Sequence, residues 1–218
     1  MYNLKTGLEE KVPRALDEDI TKNVLPTTCL IINDFLTSDE CDYFTEYVDR
    51  THKLSPGVNR EGNQTSNRYS NVSFIAPDTE NGWLYNKILD KILPINKQYM
   101  KFDLTHLDRL QYASYGENQY LGYHTDDHFD YIQVNNETRD LSLRKLSVSI
   151  GLNEEYEGGE FEIQNFKGTP NEPYDVKKFR LKKGSAIVFS SFLLHRVYPV
   201  TTGVRKAVVA WFFGPKWK

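Results

Sequence analysis

The sequence predicts a mainly β fold, a sandwich or jelly roll, with helices placed ahead of it (α+β). Three observations lead there. From His106 onward, short apolar or alternating runs recur between turn signals, as many-stranded antiparallel folds require. Helical periodicity is confined to two segments before His106. Fourteen Tyr and twelve Phe favour strands around a packed interior. The 218 residues, 39% hydrophobic and without a break in composition, suit one domain with an N-terminal extension.

Taken in order, residues 1–26 read as an arm, mixed in charge and punctuated by Pro13 and Pro26. A domain over 27–218 follows, with helical support over 27–105 and the jelly roll over 106–215. Thr28 to Ile32 is a short apolar strand. Thr37-Ser38-Asp39-Glu40 offers a capping box, and Cys41, Phe44, Tyr47 and Val48 follow at helical spacing. A second helix runs from Trp83 to about Met100, which Pro94 should end or kink. Between them, Ser55 to Asn71 is too polar for core and long for a connector, which suits a functional loop. Strands are expected over Leu107–Tyr115, Tyr120–Asp126, Lys145–Leu152, Glu160–Ile163, Lys178–Leu181, Ser185–Ser190, Leu193–Tyr198 and Arg205–Phe213. Gly158-Gly159 and Lys182-Lys183-Gly184 supply turn chemistry between them.

Charge and composition exclude several roles. A net charge of -3 and a pI of about 6.0 give no global attraction to nucleic acid or membrane. No apolar run reaches the roughly 20 residues of a membrane helix. The first residues lack the apolar segment of a secretory signal. Cys29 and Cys41 fall in different elements without metal-type spacing, so a reducing, cytoplasmic setting is expected.

The chemistry concentrates in Tyr123-His124-Thr125-Asp126. Alternate residues of a strand share a face, so His124 and Asp126 can bind one ion, and His195 on another strand can supply a third ligand. Two imidazoles and one carboxylate on one face are the facial triad of non-haem Fe(II) oxygenases. An H-x-D triplet alone is common, and a lone His195 is as readily a hydrogen-bonded core histidine. His124 and His128 have the spacing of a helical zinc site. That motif needs a Glu after the first His, where Thr125 stands, and Gly122 between tyrosines disfavours a helix.

Arg205 opens an otherwise apolar strand on which Arg205, Ala207, Val209, Trp211 and Phe213 share a face. A guanidinium there is costly to bury unless it meets an anion, either an internal carboxylate or that of a ligand.

On these residues the chain resembles the prolyl-4-hydroxylase-like branch of the Fe(II)/2-oxoglutarate-dependent dioxygenases, and within it the short PKHD-type hydroxylases of bacteria and phages. The resemblance spans His106 to Pro215. It rests on Tyr123-His124-Thr125-Asp126, on the run Leu146 to Asn153, on Tyr156-Glu157-Gly158-Gly159-Glu160-Phe161, on Lys183 to Phe189 and on Leu194 to Arg205. It implies a double-stranded β-helix and Fe(II) held by His124, Asp126 and His195. It also implies 2-oxoglutarate anchored through its distal carboxylate by Arg205, with O2 as oxidant and ascorbate as an auxiliary reductant. Tyr115 resembles a tyrosine near the co-substrate's inner carboxylate, and Trp211 an aromatic that walls the metal pocket; ordinary core packing competes for both.

The implied activity is C–H hydroxylation of a peptidyl, prolyl, side chain with release of succinate and CO2. A free amino acid or other small molecule is the alternative, and a non-catalytic jelly-roll binding protein a further one. A carboxylate at Asp126 favours hydroxylation, since halogenating relatives carry a small residue there. Nucleic-acid demethylases of the superfamily usually carry a second Arg where this chain has Trp211. Many relatives carry Tyr where this chain has Gly151, so Ser149 or another tyrosine is expected to assist Arg205. Arg68 resembles a substrate-side Arg of prolyl hydroxylases, against its reading as a solvated loop residue. The polar segments Ser55 to Asn71 and Asp127 to Ser142 are expected to flank the pocket mouth.

Overall fold

The computed structural model describes residues 2–3, 29–57, 67–134, 137–169 and 172–216, so most of the arm expected over 1–26 lies outside the described residues. The elements in chain order begin with β1 (Tyr2–Asn3), β2 (Cys29–Ile32), α1 (Ser38–Thr51), β3 (Ser55–Pro56), β4 (Arg68–Tyr69), β5 (Asn71–Ile75) and α2 (Gly82–Ile95). Then come β6 (His106–Leu107), β7 (Leu110–Tyr115), β8 (Tyr120–His124), β9 (Phe129–Val134), β10 (Glu137–Gly151) and β11 (Tyr156–Gly158). The chain closes with β12 (Phe161–Thr169), β13 (Glu172–Phe179), β14 (Ala186–Ser190), β15 (Leu194–Val197), β16 (Val200–Gly203) and β17 (Arg205–Pro215).

The capping box forms as expected. Thr37 Oγ1 accepts from the Glu40 N–H, while Glu40 Oε2 accepts from the Thr37 N–H at 2.8 Å. The resulting helix buries Cys41, Phe44, Tyr47 and Val48. In α2, Pro94 lies at the penultimate position, and the helix passes into a π-helical turn over Asn96–Met100. Proline removes a backbone donor and crowds the turn before it, so Pro94 is tolerated close to the end of the helix. Lys101, at φ 57°, then ends it.

Strands pair antiparallel into a large sheet, ordered β2-β14-β10-β17-β7-β5-β3 with β6 and β9 attached, and a smaller one, β13-β12-β15-β8-β4. The two face each other as a jelly roll, the double-stranded β-helix expected above. Alternation gives the large sheet two buried faces. Leu146, Val148, Ile150, Val208, Ala210 and Phe212 pack outward against Phe44, Ile88 and Ile92 of the helices. Ala113, Tyr115, Ile187 and Phe189 turn inward to meet Phe161, Ile163 and Val197 of the small sheet. Burying each large apolar side chain contributes about 1.5–3 kcal/mol, so the helices brace the sheet whose inner face carries the pocket.

Two expectations need correction. Asp127 to Ser142 is not a loop: β9 and the start of β10 form a long hairpin, pairing Phe129 with Leu143 and Val134 with Glu137. Its Asn, Glu, Thr and Arg residues read as loop because the sequence there lacks the regular apolar alternation of a half-buried strand. The H-x-D strand is shorter than expected, since β8 ends at His124 and Asp126 lies two residues beyond it. Part of the Ser55 to Asn71 segment, residues 58–66, lies outside the described residues.

Candidate active site

His124 closes β8 directly opposite His195 on β15, with ring centroids 4.1 Å apart. Asp126 is brought to them by its backbone N–H, which donates to the Ser191 carbonyl at 2.7 Å. Its carboxylate then lies 3.6 Å from His124 Nε2 through Oδ1 and 3.5 Å from His195 Nε2 through Oδ2. Among the described residues these three form the one cluster of metal-type donors, with ligand atoms within 4.8 Å of one another.

The donor set fits a divalent metal. His124 Nδ1 lies 2.9 Å from the Gly122 carbonyl, and His195 Nδ1 lies 2.8 Å from the Leu193 carbonyl. A carbonyl only accepts, so each Nδ1 carries a proton, and each Nε2 is the ring atom turned toward Asp126. Burial pushes the His195 pKa down to about 4, with His124 adding to the fall and Asp126 opposing it, so the ring is neutral at pH 7. Burial alone would raise the Asp126 carboxyl, yet His195 and His124 beside it hold it well below the usual carboxylate range. The Trp211 indole lies near enough to lower it further, although among the described residues its Nε1–H meets no acceptor at hydrogen-bond geometry. Two imidazole nitrogens and a carboxylate on one side of a cavity are the ligand set of non-haem Fe(II) sites.

Sequence reasoning missed the support behind Asp126. Ser147 on β10 donates to Asp126 Oδ2 at 2.9 Å and lies 2.9 Å from Ser191 Oγ, with both serines buried. The signal was available: Ser147, Ser149 and Gly151 alternate with the apolar Leu146, Val148 and Ile150, which marks a polar inner face.

A cavity of about 590 Å³ opens from the cluster between the sheets. Arg205, Ala207, Val209 and Trp211 all line it, as the shared face of β17 predicts. Arg205 is only 3% exposed, and among the described residues no carboxylate lies within ion-pair distance of it. The internal salt bridge considered for Arg205 therefore does not form there. Its guanidinium carbon sits 5.3 Å from the Tyr115 ring centroid. Ser149 lines the cavity, whereas a Cβ at Gly151 would stand 3.0 Å from the Lys182 carbonyl, which leaves no room for a tyrosine without a backbone shift. Gly158 and Gly159, at φ 71° and 64°, form a tight turn, and a Cβ at Gly159 would meet Arg205 Cδ at 3.0 Å.

Arg68 is not a solvated loop residue. It lies in β4, lines the cavity, and donates to Ser70 Oγ at 2.9 Å and Gln111 Oε1 at 3.0 Å. Arg144 stacks on Trp211 at 3.8 Å from the ring centroid, walling the cavity on the β10 side.

A model of the 2OG-Fe(II) oxygenase superfamily matches residues 110–213. The chain is 30% identical over 185 residues to a PKHD-type hydroxylase of Alteromonas mediterranea, covering 84% of this chain and 76% of that one. Among solved structures, a Pseudomonas putida prolyl-4-hydroxylase superposes with a TM-score of 0.67 at 17% identity, covering 91% and 98% of the two chains. A Trichoplax adhaerens prolyl hydroxylase, solved with a peptide fragment of the hypoxia inducible factor oxygen degradation domain, gives 0.69 at 19% identity, covering 89% and 87%. At these identities the structures speak for the fold, which is that of the jelly-roll dioxygenases. The chain belongs to the 2OG-Fe(II) oxygenase superfamily, as a PKHD-type enzyme. The family implies Fe(II), 2-oxoglutarate and O2. Among the described residues no helix is long and apolar enough to cross a membrane.

Proposed function

We propose that this enzyme hydroxylates a peptidyl side chain, with proline the leading candidate, using Fe(II) held by His124, Asp126 and His195. The observation that carries the reading is Arg205, a buried cation without an acidic partner among the described residues, lining the same cavity as the donor cluster. The distal carboxylate of 2-oxoglutarate supplies the missing anion, through a charge-assisted bidentate pair. When bound, the metal and co-substrate supply the oxidising chemistry, with succinate and CO2 as by-products.

The chain's own residues place and enclose the reactants. The Gly122 and Leu193 carbonyls hold the His124 and His195 rings through Nδ1, so that each Nε2 would face the metal, and Asp126 stays ionised. Ser147 fixes the rotation of that carboxylate by donating to Oδ2. Trp211 and Tyr115 wall the pocket, Tyr115 close to the Arg205 guanidinium, and Ser149, on the same inner face of the large sheet, is the assisting hydroxyl. Phe161, Phe189 and Leu121 give the cavity apolar lining. We assign the catalytic domain to residues 27–218 and treat 1–26 as an arm outside it. A cytoplasmic setting and stimulation by ascorbate belong to the same proposal.

The peptide reading draws on the PKHD-type relationship and on the peptide carried by the Trichoplax adhaerens enzyme. A free amino acid is the second reading, favoured by Arg68, which lines the cavity, has only neutral hydrogen-bond partners among the described residues, and suits a substrate carboxylate. Nucleic acid is not expected, given the net charge of -3. Succinate formation is to be measured with proline-rich peptides, free proline and methylated oligonucleotides in parallel, with products identified by mass spectrometry. Peptide-dependent turnover with a gain of one oxygen supports the proposal. Stimulation by oligonucleotide alone overturns it.

A further inference from the structure

β8 contains a bulge that sets the direction of His124. His124 pairs with His195, yet Leu121 pairs with Val197, so three steps along β8 match two along β15. Leu121 and His124 both line the cavity. Strict alternation would put residues three apart on opposite faces, so the extra residue at Gly122–Tyr123 is what turns the imidazole inward. Asn67 grips the bulge: its carbonyl accepts from the Gly122 N–H at 2.7 Å, and its Nδ2 donates to the Tyr123 carbonyl at 3.1 Å. A Cβ at Gly122 would stand 1.8 Å from Asn67 Oδ1, so glycine is needed for that approach.

The bulge throws the Tyr123 side chain onto the outer face of the small sheet, where it meets Glu162. This carboxylate is only 2% exposed although it faces away from the pocket. It accepts from the Tyr123 hydroxyl, from Arg196 Nε at 2.8 Å and from the Tyr198 hydroxyl at 2.7 Å. Arg196 stacks over the rings of Tyr123 and Tyr198, at 4.4 and 4.0 Å from their centroids, and Lys178 lies 3.9 Å from Glu162 Oε2. Glu162 sits on β12 opposite Arg196, and its neighbour Ile163 sits opposite His195. One buried carboxylate therefore grips the residue before His124 and the residue after His195.

We propose that Glu162 is a positioning residue for both histidines, acting through Tyr123 and Arg196 from the reverse face of the sheet. The proposal rests on the reading that these histidines hold the metal. A buried charge with three hydrogen-bond donors is an expensive way to stabilise a sheet, since an apolar cluster of similar volume does as well or better. What it adds is directional: fixed backbone at both histidines, hence two Nε2 atoms held at one separation.

The test is a Co(II) titration of metal-free protein followed by visible absorption, alongside thermal melting. Glu162→Gln, which keeps the shape and removes the charge, is expected to raise the Co(II) dissociation constant roughly tenfold, the lower range for groups supporting metal ligands, and to change the ligand-field band. Tyr123→Phe deletes one of the three bonds and is expected to show part of that rise, which keeps the test open should Glu162→Gln fold poorly. Glu40→Ala, which removes the α1 capping box and the ion pair with Lys87, is the stability control. It is expected to lower the melting temperature with the Co(II) constant and spectrum unchanged. Wild-type constants and spectra in both Glu162→Gln and Tyr123→Phe overturn the proposal, as does an equal loss of affinity in Glu40→Ala. Failure of the wild-type protein to bind Co(II) overturns the metal reading itself, and the positioning role with it.

Discussion

Arg205 and Tyr115 are register partners at the start of β17 and the end of β7, and the guanidinium carbon lies 5.3 Å from the tyrosine ring centroid. The ring offers a π-face and no negative charge, so it relieves only a small part of the cost of burying a cation. Arg205→Met should therefore melt no lower than the wild-type protein when both lack co-substrate. The same variant should lose the rise in melting temperature that 2-oxoglutarate gives the metal-loaded wild type, because only a ligand that binds the native state stabilises it. Hydrogen bonds to charged groups contribute about 1.5–3 kcal/mol each, so the apparent KM for 2-oxoglutarate should rise tenfold or more. An unchanged KM would make Arg205 a structural residue.

The metal assignment is tested by His124→Ala and His195→Ala. Each removes one Nε2 from a set whose donor atoms lie within 4.8 Å of one another. Two remaining ligands hold Fe(II) poorly, so Fe(II)-dependent decarboxylation of 2-oxoglutarate should disappear in both. Turnover at the wild-type rate in either variant would remove that histidine from the site.

These residues were legible in the sequence because their chemistry travels in short motifs: H-x-D, which begins at the last residue of a strand, His195 on a partner strand, and Arg205 opening an apolar one. The capping box at Thr37 and Glu40 was equally local. The bulge in β8 was not legible, because a single extra residue leaves no mark on composition and Gly122 reads as an ordinary strand weakness. Nor was Glu162, an acid in an alternating strand, which ordinarily marks the solvated face. Its burial depends on Tyr123, Arg196 and Tyr198, brought over it by β8 and by β15 with the residue just past its end. Ser147 lay between, visible as a polar face but without a partner until Asp126 was placed.

The two cysteines should be inert in the folded protein. Burial pushes the Cys29 thiol up to about 12 and the Cys41 thiol up to about 11. The thiolate is the reactive form, so neither should react with a disulfide reagent at pH 8 until the chain unfolds. Counting modified thiols with and without denaturant tests this; a fast-reacting thiol in native protein would show that α1 or β2 opens readily.

The helical support is joined to the jelly roll at Gly184, and this contact should be sensitive to one methyl group. Gly184 has φ 78°, and its carbonyl accepts from the Leu36 N–H at 2.9 Å, just ahead of the Thr37 cap. Its own N–H donates to the Gly151 carbonyl at 2.8 Å, which ties the turn before β14 to the end of β10. A Cβ there would stand 2.1 Å from the Leu36 carbonyl oxygen, a backbone atom that cannot rotate aside. Gly184→Ala therefore combines a left-handed backbone, costing about 1–3 kcal/mol for a non-glycine residue, with displacement of the chain entering α1. We expect a total loss of at least about 2 kcal/mol, or a fall in melting temperature of roughly 4–8 °C for a chain of this size. Thr37→Ala, which removes only the capping hydroxyl, should cost about 1 kcal/mol. Urea unfolding of both variants measures the difference. A Gly184→Ala loss no larger than that of Thr37→Ala would mean that the Leu36 segment moves aside freely and does not brace the sheet.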